Sequence, residues 1–232
     1  MFKPDIVIAH PSHLQYPLWQ KFIHENRDRF GKVIIVFTKM NADTGDYRKF
    51  VQDAMSIDTV TCLDNDEVRA DQDWRDVAVN RALKYSNSEW VLFTEQDFFP
   101  LEEFWEEVER QSKENDIFGA VIQDRLHPCC IFAKREVIEK TSKNFGVVKD
   151  KLDHFGVFQQ EVGSFSAIPE RYWYHMNGLS QNLYMLQKGD EPNFGINEFK
   201  EYCERCLESE YIHEDFRELF LWYLNEKEGR LN

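Results

Sequence analysis

The sequence predicts an α/β fold: a mostly parallel sheet covered by helices on both faces. Three observations carry that expectation. Short β-branched and aromatic runs alternate with amphipathic helical patterns through the first two-thirds of the chain. No Gly/Ser/Pro-rich stretch interrupts the 232 residues, so they read as one domain, residues 1–232, large enough for a substantial core. The 19 Phe, 9 Tyr and 6 Trp supply the apolar bulk such a core needs and exclude long disordered segments.

Taken in order, Ile6 to Ala9 is an apolar run of strand length. Pro17 opens a helix with Leu18, Trp19, Phe22, Ile23 and Phe30 on its inner face, and Gly31 closes it. Val33 to Phe37 reads as a buried strand, Tyr47, Phe50, Val51 and Met55 as a helical stripe, and Thr59 to Leu63 as a third strand. A helix from Trp74 to about Tyr85 leads into a fourth strand, Glu89 to Phe93. After Pro100, Leu101, Phe104, Trp105 and Val108 mark a helix whose first turn holds Glu102 and Glu103, acids favoured by the helix dipole. Strands follow at Phe118 to Ile122 and Cys129 to Ala133. This rhythm implies parallel pairing, and ligands of such sheets bind at the carboxyl ends of the strands. From about Lys134 helices and loops take over. They end in amphipathic helices over 197–209 and 213–227, the second with Phe216, Leu219, Phe220, Tyr223 and Leu224 inward.

The formal net charge of −14 argues against a surface made mainly for nucleic-acid backbones, which Lys and Arg must neutralise, while leaving room for a local basic cleft. The N-terminal apolar run is too short for a signal segment, and no run approaches the roughly 18 residues of a membrane span. A cytoplasmic protein without a membrane span is the expectation. Of the five Cys, Cys203 and Cys206 form a CxxC. With Phe199, Tyr202 and Leu207 they follow helical spacing, which makes them an apolar helix face rather than a zinc pair.

The segment from Asp73 to Asp97 concentrates the chemistry. A helix with a polar start feeds a buried strand that ends abruptly in Glu95 and Asp97 at the sheet's carboxyl edge. Two carboxylates there suit a hard divalent cation, Mn²⁺ or Mg²⁺, that bridges a diphosphate. A solvated strand end, or a cap for the helix near Pro100, is the competing reading. Arg75 offers a diphosphate contact, against ordinary pairing with Asp71 or Asp73.

Here the chain resembles the family 2-type GT-A glycosyltransferases. Ala78-Val79-Asn80 stands where that family's helix carries Ala-Arg-Asn-like residues, and Glu95-Gln96-Asp97 stands at its Asp-x-Asp motif, with Glu for the first Asp. Pro128 to Lys140 is similar to the family's next strand and Arg/Glu-bearing helix, and Leu152 to Glu161 to its acceptor loop, with Gln160-Glu161 at the catalytic Glu-Asp pair. The resemblance spans roughly residues 5–178. It implies a metal held by Asp97, Glu95 and, from the Trp173-to-Gly178 segment, His175. His10, His13, His127 and His154 compete for that last role, and a histidine satisfied among packed aromatics is its plain alternative. Glu161 is the implied base, with Asp153 in reserve. A nucleotide-sugar donor, UDP-linked by expectation, would meet His10, Pro11, Thr38, Asp43, Asp46, Arg75, Asn80, Glu95 and Gln96. Asp43 and Asp46 also suit a turn around Gly45.

On this reading residues 1–100 form a nucleotide-binding half, 101–196 an acceptor and catalytic half, and 197–232 a helical tail. The chemistry would be inverting transfer of the sugar to a hydroxyl of a glycan, protein or small molecule. A hydroxymethylated DNA base is a minority acceptor that the net charge disfavours. A nucleotidyltransferase of similar architecture is the nearest rival, though His10-Pro11-Ser12 lacks the Gly-rich phosphate loop it needs. A catalytically silent carbohydrate- or protein-binding domain is the rival from another class.

Overall fold

A computed structural model describes residues 2–9, 23, 25–38, 58–63, 73–95, 98–146 and 154–175, with helical positions 201, 204, 207, 208, 217, 221, 224 and 225. The chain packs as two compact units, residues 1–11 with 28–175 and residues 12–27 with 176–232.

The first unit is built on β1 (Asp5–Ala9), β2 (Val33–Thr38), β3 (Thr59–Leu63), β4 (Trp90–Thr94), β6 (Ile117–Ile122), β7 (Arg125–Lys134) and β8 (Ser166–Ala167), which form one sheet ordered β3-β2-β1-β4-β7-β6-β8. The first four strands are parallel, as their spacing predicts, with Val7 beside Ile34 on one side and Phe93 on the other. β7 runs against both neighbours, β4 and β6. The cause is local: Gln123 and Asp124 adopt φ of 52° and 60°, the two-residue turn that folds adjacent strands into a hairpin. A parallel crossover would need a dozen residues. Across that hairpin a Cβ on Gly119 would lie 2.2 Å from the Cys130 carbonyl oxygen, so only glycine fits beside the bulge between Gly119 and Val121.

Alternation along β4 divides the core. Trp90 meets Phe2 and Phe118 on one face. There Phe132 stacks on Phe118 and receives Phe104 and Trp105 of α2 (Phe104–Glu114). Phe93 points to the opposite face and packs with Phe145, Phe155 and Phe158. On that face α1 (Trp74–Leu83) buries Ala78, Val79 and Ala82 in the cluster that holds Val7, Ile34, Val36 and Val91. Its small residues bring the helix close to the sheet. Asp73 caps it by accepting the Arg75 amide at 2.8 Å. α2 begins later than the sequence predicts: Glu103 is its left-handed cap at φ 61°, so Glu106 and Glu107, not Glu102 and Glu103, occupy the first turn. Arg110 and Gln111 bond the buried Glu107, and the Arg110 contact holds its carboxyl below the usual range despite burial. Two short helices follow, α3 (Arg135–Lys140) and α4 (Gly156–Val162). A separate two-stranded ribbon, β5 (Phe98–Pro100) with β9 (Trp173–His175), was not predictable from runs of three residues.

A buried carboxylate ties the amino ends of these elements together. Asp5 accepts from the Lys32 amide at 2.7 Å and Ser88 Oγ at 2.8 Å on Oδ1, and from Ser86 Oγ at 2.8 Å and the Asn87 and Ser88 amides at 2.8 and 3.0 Å on Oδ2. Burial alone would raise its pKa, but these donors outweigh burial and hold it below the ordinary value. Arg135 completes the knot through Ser86 Oγ and the Ser88 carbonyl. Gly31, which follows the helical stretch ending at Arg29 as expected, also makes room for this carboxylate, since a Cβ there would sit 2.3 Å from Asp5 Oδ1.

In the second unit Ile23, Glu25 and Asn26 are helical, as are the described positions between 201 and 225, and Arg217 donates to the Leu207 carbonyl at 2.7 Å. The predicted stripe over 47–55 and the Cys203/Cys206 pair lie outside the described residues. No helix among the described residues is long and apolar enough to cross a membrane.

Candidate active site

The carboxyl ends of β1 and β4 open onto a cleft lined by Val7, Ala9, Arg75, Val79, Phe93, Thr94, Glu95, Pro128 and Phe155. Arg75 and Glu95 are the charged residues of its lining, and Val7, Ala9, Val79, Phe93, Pro128 and Phe155 are apolar. Glu95 is set there by the backbone. β4 ends at Thr94, whose hydroxyl donates to the Cys129 carbonyl at 2.8 Å, and the Glu95 amide donates to the same oxygen at 3.3 Å. This double hook on β7 fixes the direction in which Glu95 leaves the strand.

Two cationic or imidazole groups face the Glu95 carboxylate. Arg75 Nη1 donates to Oε1 at 3.0 Å, and His175 Nε2 lies 3.8 Å from Oε2. The Arg75 and Glu95 side chains are each about a quarter exposed, 25% and 26%, so the pair stays reachable from the cleft. Arg75 therefore pairs with Glu95 rather than with Asp73, its alternative in the sequence; the guanidinium also lies 5.2 Å over the Trp74 ring. Asp73 is occupied otherwise, capping α1 and holding His154 Nδ1 at 3.1 Å. Phe155, next to His154, reaches the cleft wall.

The other residues singled out in the sequence fall as follows. Asn80 is on the outer course of α1, where its Nδ2 donates to the Asp76 carbonyl and carboxylate and to the Lys143 carbonyl. Asp76 in turn accepts the Phe145 amide at 2.7 Å, and burial, opposed by that bond and reinforced by nearby Asp73, raises its pKa. Glu161, on the last turn of α4, is exposed and accepts the Ser142 amide at 2.8 Å; it is not among the cleft-lining residues. Thr38 ends β2, its side chain outside the described residues, as are His10, Pro11, His13, Asp43, Asp46, Asp71, Gln96, Asp97 and Asp153.

One grouping was not foreseen. His127 and Cys129 on β7 and His175 on β9 bring their ligating atoms within 4.8 Å of one another, and the two imidazole centroids are 4.7 Å apart. The His-x-Cys spacing at i and i+2 on one strand face was visible in the sequence; the arrival of His175 beside it was not.

Sheet order, the reversed β7 and a cleft at the carboxyl ends of β1 and β4 together match the GT-A fold. Solved structures bear this out. Glucosyl-3-phosphoglycerate synthase from Mycobacterium tuberculosis, solved with Mn²⁺, UDP and phosphoglyceric acid, superposes with a TM-score of 0.52 at 13% identity, covering 83% of this chain and 80% of that one. The same enzyme with Mn²⁺, UDP-glucose and phosphoglyceric acid gives 0.51 at 13% identity, with coverages of 82% and 81%. A mannosyltransferase from Pyrobaculum calidifontis in complex with GDP-mannose and Mn²⁺ gives 0.50 at 17% identity; 73% of this chain matches, spanning 55% of that protein's length. No protein-family model and no curated protein sequence matches this chain. At these identities the likeness establishes the fold.

Proposed function

We propose that this chain is a metal-dependent glycosyltransferase that moves a sugar from a nucleotide diphosphate, UDP by first expectation, to an acceptor hydroxyl. The observation that carries the reading is Glu95, presented at the carboxyl end of β4 between Arg75 and His175 on the rim of the cleft. A carboxylate and an imidazole nitrogen 3.8 Å apart fit a single divalent ion, whose bonds to such ligands are about 2.0–2.2 Å. Glu95, His175 and Asp97 would hold it, and the ion, Mn²⁺ or Mg²⁺, supplies charge neutralisation for the departing diphosphate.

The rest is the work of this chain's own groups. Arg75, released from Glu95 as the anion arrives, turns its planar donor fork to the phosphate oxygens. Val7, Ala9 and Phe93 exclude water beneath them. A carboxylate of the 153–161 segment takes the acceptor proton and so directs inversion at the sugar carbon. Because Glu161 is exposed, binds the Ser142 amide and is not among the cleft-lining residues, we place Asp153, its reserve, ahead of it. The acceptor is a hydroxyl of a small molecule, glycan or protein.

A thermal-shift screen of UDP, GDP and CMP with and without Mn²⁺ tests the reading. Ligand at about 100 times its Kd stabilises the native state by about 2.7 kcal/mol. A metal-dependent shift with one nucleotide diphosphate is expected; the absence of any such shift would move the chain to the binding-domain class.

A further inference from the structure

We infer that His127, Cys129 and His175 form a second metal site, one that takes a thiophilic divalent cation of the Zn²⁺ class. It differs from the carboxylate site proposed above in donor chemistry but shares His175 with it, so that imidazole serves whichever ion is bound.

The geometry is built by two strands from different sheets. Alternation along β7 sends His127 and Cys129 to one face, and the β5–β9 ribbon delivers His175 to them. All three are inside the protein: Cys129 is fully buried, His127 is 9% exposed, and the His175 side chain is 5% exposed. Zinc bonds of about 2.0–2.1 Å to nitrogen and 2.3 Å to sulfur require donor atoms about 3.3–3.6 Å apart in a tetrahedral set. The donors lie within 4.8 Å of one another, so they draw together by about an ångström to close on an ion.

Donor chemistry decides the class of metal. One thiolate and two imidazoles prefer Zn²⁺ or Co²⁺ to the oxygen-seeking Mg²⁺ and Mn²⁺. Three protein ligands leave the fourth position open. The Cys129 amide donates to His127 Nδ1 at 3.2 Å, which places the ring proton on Nε2, so coordination at Nδ1 exchanges that contact for a metal bond. The Cys129 thiol gives its proton to solvent as the ion binds. Neighbouring Cys130 points to the opposite face of β7, which keeps it out of the set.

Cobalt spectroscopy tests the site on the full chain. Titration with Co²⁺ should produce a near-ultraviolet thiolate-to-cobalt charge-transfer band that saturates at one equivalent. The band should persist in a Cys203→Ser/Cys206→Ser variant, which removes the CxxC, and vanish in Cys129→Ser. A wild-type protein without the band, a band that survives Cys129→Ser, or one lost with the CxxC pair would each overturn the inference. Should Cys129→Ser not fold, His127→Gln serves: it should weaken Co²⁺ binding by about ten-fold or more, and unchanged binding would overturn the assignment. Mn²⁺-dependent nucleotide binding measured on Cys129→Ser without added Co²⁺ keeps the two proposals separable, since that variant leaves Glu95 and the shared His175 in place.

Discussion

Replacing Asp5 by Ala should be among the most destabilising single changes in the molecule. The carboxylate is 1% exposed and accepts five hydrogen bonds, three of them from backbone amides that have been committed to it by the folding of β1, the Gly31–Lys32 turn and the 86–88 loop. A hydrogen bond to a charged group contributes about 1.5–3 kcal/mol. The serines can reorient and water can reach some of the amides, so the loss is smaller than the sum, about 3–5 kcal/mol. Urea denaturation followed by circular dichroism reads it as a fall in midpoint. The structure also makes a coupling prediction. Gly31→Ala drives a Cβ to 2.3 Å from Asp5 Oδ1 and should cost about 2–3 kcal/mol in the wild type, but much less in Asp5→Ala, where that oxygen is gone. The pH dependence has a fixed sign. Because the folded pKa of Asp5 is depressed, its contribution is complete above the ordinary carboxylate value of about 3.9 and is lost as pH falls through the folded value. The gap between wild type and Asp5→Asn should therefore narrow in acid. A loss below about 1 kcal/mol for Asp5→Ala, or an equal cost of Gly31→Ala in both backgrounds, would refute the reasoning.

Three further outcomes follow from the same geometry. Arg75→Ala should weaken Mn²⁺-dependent nucleotide diphosphate binding by about ten-fold or more, and Arg75→Lys should rescue it poorly because a lysine cannot present a planar fork; calorimetric titration checks both. Gly119→Ala should lower stability by about 2–4 kcal/mol, seen in the melting temperature, since the added Cβ would stand 2.2 Å from the Cys130 carbonyl oxygen. Asp153→Asn should abolish turnover while sparing donor binding, whereas Glu161→Gln, which keeps an oxygen for the Ser142 amide, should leave most of it; the reverse pattern in a single-turnover assay would return the base to Glu161.

The contribution of Phe158 shows how the core was and was not readable. Its apolar character is plain in the sequence, but its packing against Phe93 joins strand β4 to a helix far along the chain, and Phe158→Ala should cost about 3–5 kcal/mol for that reason.

Local pattern was enough for the parallel block and for the carboxylate at its edge. The runs Ile6–Ile8, Val33–Val36 and Trp90–Phe93 are apolar because consecutive side chains along those strands are buried on both faces, and such burial is written residue by residue. Glu95 could be placed at the strand's end for the same reason, as the point where a buried run stops. What pattern could not supply was pairing at a distance. A Gln-Asp turn gives weak notice of a hairpin, so the reversal of β7 was hidden until two positive φ angles made it. Three residues of β5 and three of β9 carry no periodicity, yet their ribbon brings His175 to within 3.8 Å of Glu95 and beside His127. Arg75 had acidic neighbours nearer in sequence and found its partner one strand away. Sequence alone thus determined which segments are buried and which chemistry stands at the sheet edge, because solvation acts on each residue locally. Only the tertiary structure decided which side chains meet there, because that depends on chain reversals and strand partners that no single stretch encodes.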